Sequence, residues 1–149
     1  MTTLSPATGP STDDARLAED LGRVLEEILE HTAHGLVDTL ARHGVDPLQL
    51  RVMRQIHESL GPDTHGELAR RTGFAPDIVA VCLEDLLVRR LVVDPGSGYG
   101  LTAEGRRIVV EIERARREDL RAFVAGLTEQ RRRRFDAAVH LLSDVLDPA

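Results

Sequence analysis

Residues 64–107 read THGELARRTGFAPDIVAVCLEDLLVRRLVVDPGSGYGLTAEGRR, and this stretch decides the fold. Thr64 followed three residues later by Glu67 is a capping box, predicting a short helix through Leu68 and Ala69 that stops at Gly73. After a brief turn, Pro76 suits the first position of a second helix, running to about Arg90. Leu91-Val92-Val93 reads as a short strand, Asp94-Pro95-Gly96-Ser97-Gly98 as a tight turn and Tyr99-Gly100-Leu101 as the return strand. Thr102 can cap the helix that follows. Two short helices joined at a glycine and followed by a two-stranded hairpin make a winged helix–turn–helix core.

Upstream, Asp46-Pro47-Leu48-Gln49 is a second capping box with proline at the first helical position, and Val52, Met53, Ile56 and Leu60 are expected to face inward before Gly61-Pro62 breaks the chain. A helical stripe of Leu17, Leu21, Val24, Leu25, Ile28, Leu29, Leu36, Val37 and Leu40 predicts one long helix from Asp13 to about Ala41, with Gly35 as its weak point and His43-Gly44 as its end. Downstream, Ile108, Val109, Ile112, Ala115, Phe123 and Val124 mark another long helix, which Gly126 interrupts. Thr128 caps a last one carrying Phe135, Ala138, Val139, Leu142, Val145 and Leu146 on one face. Residues 1–12, small and polar with two prolines, are expected to be a disordered tail. The expected fold is mainly α, a single domain over 13–149. Its core spans about 46–105, flanked by long helices at about 13–42 and 103–147 whose apolar stripes are wide enough to seek a partner in a two-fold dimer.

The 149 residues suit one domain, with 42% hydrophobic and 30% charged residues. No apolar run approaches the roughly 18 residues of a membrane span. No basic-then-apolar opening suggests a signal peptide, and the single Cys82 cannot close an internal disulfide, so a cytoplasmic location is expected. All 19 basic residues are Arg, and the net charge of −6 lies in residues 1–50, with nine acids against three Arg. Residues 51–107 are neutral, with eight of each sign, so a nucleic-acid surface requires Arg residues sorted onto one face. No phosphate-binding glycine loop, nucleophile elbow or metal-ligand set is present, so neither an enzyme, a cofactor nor a metal site is expected.

The ordered set Glu67-Leu68-Ala69-Arg70-Arg71-Thr72-Gly73, Pro76-Asp77-Ile78-Val79, Leu86 through Arg89-Arg90-Leu91-Val92, and Leu101-Thr102-Ala103-Glu104-Gly105-Arg106 resembles bacterial transcription regulators of the MarR family. The resemblance covers nearly everything past the tail, and its closing Leu-Thr-x-x-Gly-Arg is the most specific part. It implies a homodimer whose terminal helices dimerise. The second short helix would enter the major groove of a double-stranded, pseudo-palindromic operator, and the wing the minor groove. A small aromatic or phenolic ligand would bind between the dimerisation helices and the DNA-binding lobe and release DNA.

Two departures from the family pattern stand out. The recognition-helix positions hold Asp77, Ile78, Ala80, Val81 and Asp85 where Ser, Thr and Arg are usual, and the six apolar residues 78–83 suggest a helix covered by protein. The wing is shorter and lacks the family's arginine. On the resemblance, Arg70, Arg71, Asp77, Ile78, Val81, Arg89, Arg90 and Tyr99 would face DNA. Without it, the arginines read equally well as partners of Glu67, Glu84 and Asp85. His31 and His34, three apart on a helix, have too few companions for zinc and read as ligand-pocket residues instead. The run Arg131–Arg134 reads either as a solvated face or as a dock for Glu19, Asp20, Glu26, Glu27 and Glu30 across a dimer. Cys82 reads as a small core hydrophobe. A rival reading is a dimer that has lost operator binding and uses Ile78, Val81 and Leu87 against a protein partner, or serves as a small-molecule-binding protein.

Overall fold

A computed structural model describes residues 12–147. The order is α1 (Thr12–Thr32), α2 (His34–His43), α3 (Pro47–Glu58), α4 (His65–Thr72), α5 (Pro76–Val88), β1 (Val92–Val93), β2 (Gly100–Leu101), α6 (Ala103–Ala125) and α7 (Glu129–Leu146). The expected tail lies outside the described residues except for Thr12, which is already helical.

Local chemistry sets these boundaries. Both capping boxes form: the Asp46 carboxylate accepts from the Gln49 N–H, the Thr64 hydroxyl accepts from that of Glu67, and each side chain at the third helical position accepts in return. Thr102 and Thr128 cap α6 and α7. Gly44 and Gly73 close α2 and α4 in the left-handed region that glycine adopts without strain.

The expected single N-terminal helix is two. The break falls at Ala33, not Gly35, and its cause lies 84 residues away: Asp119 on α6 accepts the N–H groups of Gly35 at 2.9 Å and Leu36 at 3.2 Å. A carboxylate there satisfies two of the free donors of α2 and lies at the positive end of its dipole. Gly35 admits this approach, because a Cβ would sit 2.9 Å from an Asp119 oxygen. Leu60 also departs from expectation; α3 ends at Glu58 and Leu60 is fully exposed.

One core joins α3, α4, α5, β1 and the first half of α6, through Val52, Met53, Leu68, Val79, Leu83, Leu86, Val92, Val109 and Ile112. The wing pairs Val92 with Leu101 and Val93 with Gly100, antiparallel, and an isolated bridge between Asp63 and Tyr99 pins it to the segment before α4. At the join between wing and α6, the Leu91 carbonyl accepts from both the N–H and the hydroxyl of Thr102. A Cβ on Gly105 would collide with that same carbonyl oxygen. The outer helices are different: α7 buries no residue and α1 buries only Thr32.

Alanine in place of a helical glycine ordinarily stabilises by about 0.5–1 kcal/mol. Gly105→Ala reverses that sign, since rigid backbone occupies the methyl's place, and is expected to destabilise by about 1–3 kcal/mol in a urea melt. Gly66→Ala, with open space around it, is the control and stabilises slightly.

A candidate nucleic-acid interface

The surface formed by α4, α5 and the wing is built around one helix. Helical spacing turns Val79, Cys82, Leu83 and Leu86 of α5 inward and leaves Asp77, Ile78, Ala80, Val81, Glu84, Asp85 and Val88 exposed. The six-residue apolar run does not make a covered helix. Ile78 is 40% exposed, Val81 67% and Val88 78%. Leu87, in contrast, packs against the core and leaves the apolar face the sequence assigned to it. All the outward side chains of α5 are aliphatic or acidic, so at neutral pH the face carries no side-chain hydrogen-bond donor.

The four arginines divide in two. Arg71 donates to Asp63 at 2.8 Å, and Asp63 is buried. Arg89 donates to the carbonyls of Gly44 at 2.8 Å and His43 at 2.7 Å, finishing the C-terminus of α2. Internal geometry therefore explains both, and the sequence offered no sign of either role because the partners are remote in the chain. Arg70 and Arg90 are exposed, from the helix before α5 and the residue pair after it. Arg90 adopts φ of 58°, uncommon for a side chain with a Cβ, and its carbonyl accepts from the Thr102 hydroxyl at 2.9 Å. Tyr99 is half-buried, and its backbone is committed to Asp63.

Sequence reasoning missed the clasp that orients α5. Gln49, already closing the cap of α3, donates from Nε2 to Asp85 Oδ2 at 2.7 Å, and Arg89 approaches the same carboxylate at 3.5 Å. The capping box was the only local signal, and it said nothing of Asp85. Cys82 lies beneath this clasp; burial first, then Asp46 and Asp85, push its thiol up, which suits a core hydrophobe and not a reactive thiolate. Glu67 is held below the usual carboxylate range, first by the Thr64 N–H and hydroxyl and to a smaller extent by Arg70 and Arg71.

A second concave feature lies far from α5. A cleft of about 640 Å³ between α1, α6 and α7 is lined by His31, Phe123, Arg131 and Phe135 among others. The Phe123 and Phe135 rings meet edge-on at 5.7 Å, and His31 tilts against Phe123 at 6.1 Å. His34 is exposed at the start of α2 and does not line this cleft.

No protein-family model and no curated protein matches the sequence, but solved structures do. A MarR family protein from Mycobacterium tuberculosis is 25% identical with a TM-score of 0.71, over 89% of this chain and 97% of that one. A structure of that same Mycobacterium tuberculosis protein in complex with DNA matches at 24% identity with a TM-score of 0.65, over 82% of this chain and 96% of that one. A MarR family transcriptional regulator from Rhodococcus shares the fold at 19% identity and a TM-score of 0.63, over 89% and 98%. The fold and its exposed second helix define a winged helix–turn–helix protein. More particularly, the fold resembles that of MarR family proteins, here with an acidic and aliphatic second helix and a wing that has no arginine.

The two arginine classes separate experimentally. Arg71→Ala leaves the buried Asp63 carboxylate without its cation and is expected to cost about 2 kcal/mol in a denaturant melt. Arg70→Ala, at an exposed site, should stay within about 0.5 kcal/mol of the parent.

Proposed function

We propose that the chain is a dimeric, DNA-binding transcription regulator whose grip on its operator is controlled by a small aromatic or phenolic ligand. The observation that carries this reading is the outward half of α5, exposed on a helix–turn–helix and flanked by the exposed Arg70 and Arg90. A B-form major groove, about 12 Å wide, admits such a helix. The structural relative that binds DNA supports the same use. A cytoplasmic location accords with it.

Dimerisation is supported by the outer helices. Leu17, Leu21, Leu25 and Leu29 on α1, with Leu142, Val145 and Leu146 on α7, are each about half exposed or more in the single chain. Contiguous apolar surface of that kind calls for a partner, and a two-fold pairing of identical chains is the commonest solution. On this reading, residues 13–149 form one domain, with about 46–105 as the DNA-binding lobe and about 13–42 and 103–147 as dimerisation helices. On the same reading the ligand would occupy the cleft holding His31, among the outer helices and not between them and the DNA-binding lobe, and without His34; its aromatic rings and the Arg131 guanidinium suit an aromatic anion.

The rival reading, a dimer that has lost operator binding and meets a protein partner or small molecule instead, is favoured by one observation: the outward face of α5 is acidic and aliphatic. Gel-shift titration of genomic fragments at about 50 and 200 mM salt decides between the two. A discrete, salt-weakened shift supports the regulator. Its absence with ligand-stripped, refolded protein supports the rival.

Sedimentation equilibrium should give twice the 16.4 kDa chain mass, and Leu142→Asp with Val145→Asp should abolish that association. If Arg70 grips a phosphate, Arg70→Ala should lower the slope of log affinity against log salt by about 0.9 for each phosphate that the guanidinium neutralises. A hydroxybenzoate should raise the melting temperature of the wild type but not of Phe123→Ala.

A further inference from the structure

The face that α5 presents is unsuited to the usual chemistry of base reading and well suited to one particular kind. Donors such as Arg, Lys, Asn and Gln read guanine and adenine edges, and none of them projects from α5. What projects from its N-terminal half is a short apolar ridge, Ile78 and Val81, with Asp77 beside it, and Glu84 and Val88 continue the exposed face toward the C-terminal end. The thymine C5-methyl is the one apolar group on the major-groove edge of a base pair, and the cytosine amino group is a donor that a carboxylate accepts. Residues three apart rise about 4.5 Å along a helix, little more than one base step of about 3.4 Å. Ile78 and Val81 can therefore meet neighbouring base pairs.

Resting on the operator-binding reading above, we propose that this protein recognises its operator chiefly through thymine methyl groups packed against Ile78 and Val81, with Asp77 accepting from a cytosine amino group. The acids of α5 repel phosphate, so the backbone grip falls to Arg70 and Arg90 on either side. The division of labour is then sharp: arginines outside α5 position the protein without reading sequence, and the apolar ridge reads sequence without adding charge. Asp85 takes no part in reading, because Gln49 and Arg89 already engage its carboxylate. The shortened wing adds no minor-groove arginine to the readout.

The test uses the full-length protein and the shortest duplex that gives a discrete gel shift, made once with thymine and once with 2′-deoxyuridine throughout. The exchange removes only methyl groups. Each methyl buried against the ridge should be worth about four-fold in affinity, so the uracil duplex should bind at least ten-fold more weakly, with an unchanged salt slope. The double variant Ile78→Ala, Val81→Ala removes exposed side chains in favour of the best helix former, so it should keep its fold. It should bind the two duplexes within about two-fold of each other. Equal binding of both duplexes by the wild type overturns the proposal and leaves operator binding standing. So does discrimination that persists undiminished in the double variant, since the methyl effect then comes through DNA shape or another residue. Failure to shift any thymine duplex removes the operator-binding reading itself.

Discussion

A single carboxylate decides how α5 meets its surroundings. Asp85 accepts from Gln49, which is tied by its other amide atom and its backbone to Asp46 at the start of α3. Arg89, one turn along, reaches the end of α2. The clasp thus fastens α5 to two helices at once, to α3 through Gln49 and to α2 through Arg89. Apolar packing alone allows a helix to rotate by some degrees about its axis, because dispersion contacts are weakly directional. Hydrogen bonds of 2.7 Å at the margin of its exposed face do not. Which side chains point outward is therefore fixed by polar chemistry, although the core that supports them is aliphatic.

Much of the fold was legible because its boundaries are written in short-range chemistry. Capping boxes at Asp46 and Thr64, caps at Thr102 and Thr128, and glycines at 44 and 73 each act within a few residues, and each does what its local sequence predicts. What escaped was long-range. The break at Ala33 follows from Asp119, the burial of Asp63 explains Arg71, and the exposure of Leu60 follows from a helix that ends two residues early. The apolar run 78–83 misled for a related reason: periodicity says which side of a helix is uniform but not how much neighbouring surface exists to cover it. Here α3, α4 and β1 cover one side only. Of the eight residues assigned to DNA, Arg70, Asp77, Ile78, Val81 and Arg90 are exposed, while Arg71, Arg89 and Tyr99 are engaged elsewhere in the chain.

Charge is distributed in keeping with this division. The excess of acid lies in the first third of the sequence, before α4 and α5 begin. The run Arg131–Arg134 sits on α7, where Arg133 pairs with Glu129 and Arg131 borders the His31 cleft. At the far end of α2, Arg42, His43 and Arg107 surround Glu111 at 2.9, 3.1 and 3.2 Å and hold its carboxyl below the usual range, His43 contributing most. This cluster ties α2 to α6 with the modest strength of surface ion pairs.

The contact between Gly105 and the Leu91 carbonyl has a mechanical consequence. It welds the start of α6 to the wing with no side chain between them, and Asp119, near the other end, holds α2. The helix in between is 23 residues long, roughly 35 Å at about 1.5 Å per residue. Such a rod is a lever with its fulcrum at the ion-pair cluster and one arm in the aromatic cleft. A swing of about 5° about that fulcrum carries the start of α6, about 12 Å away at about 1.5 Å per residue, by about 1 Å. Because the contact sets backbone against backbone, a tilt of α6 would reach the wing without passing through a flexible side chain.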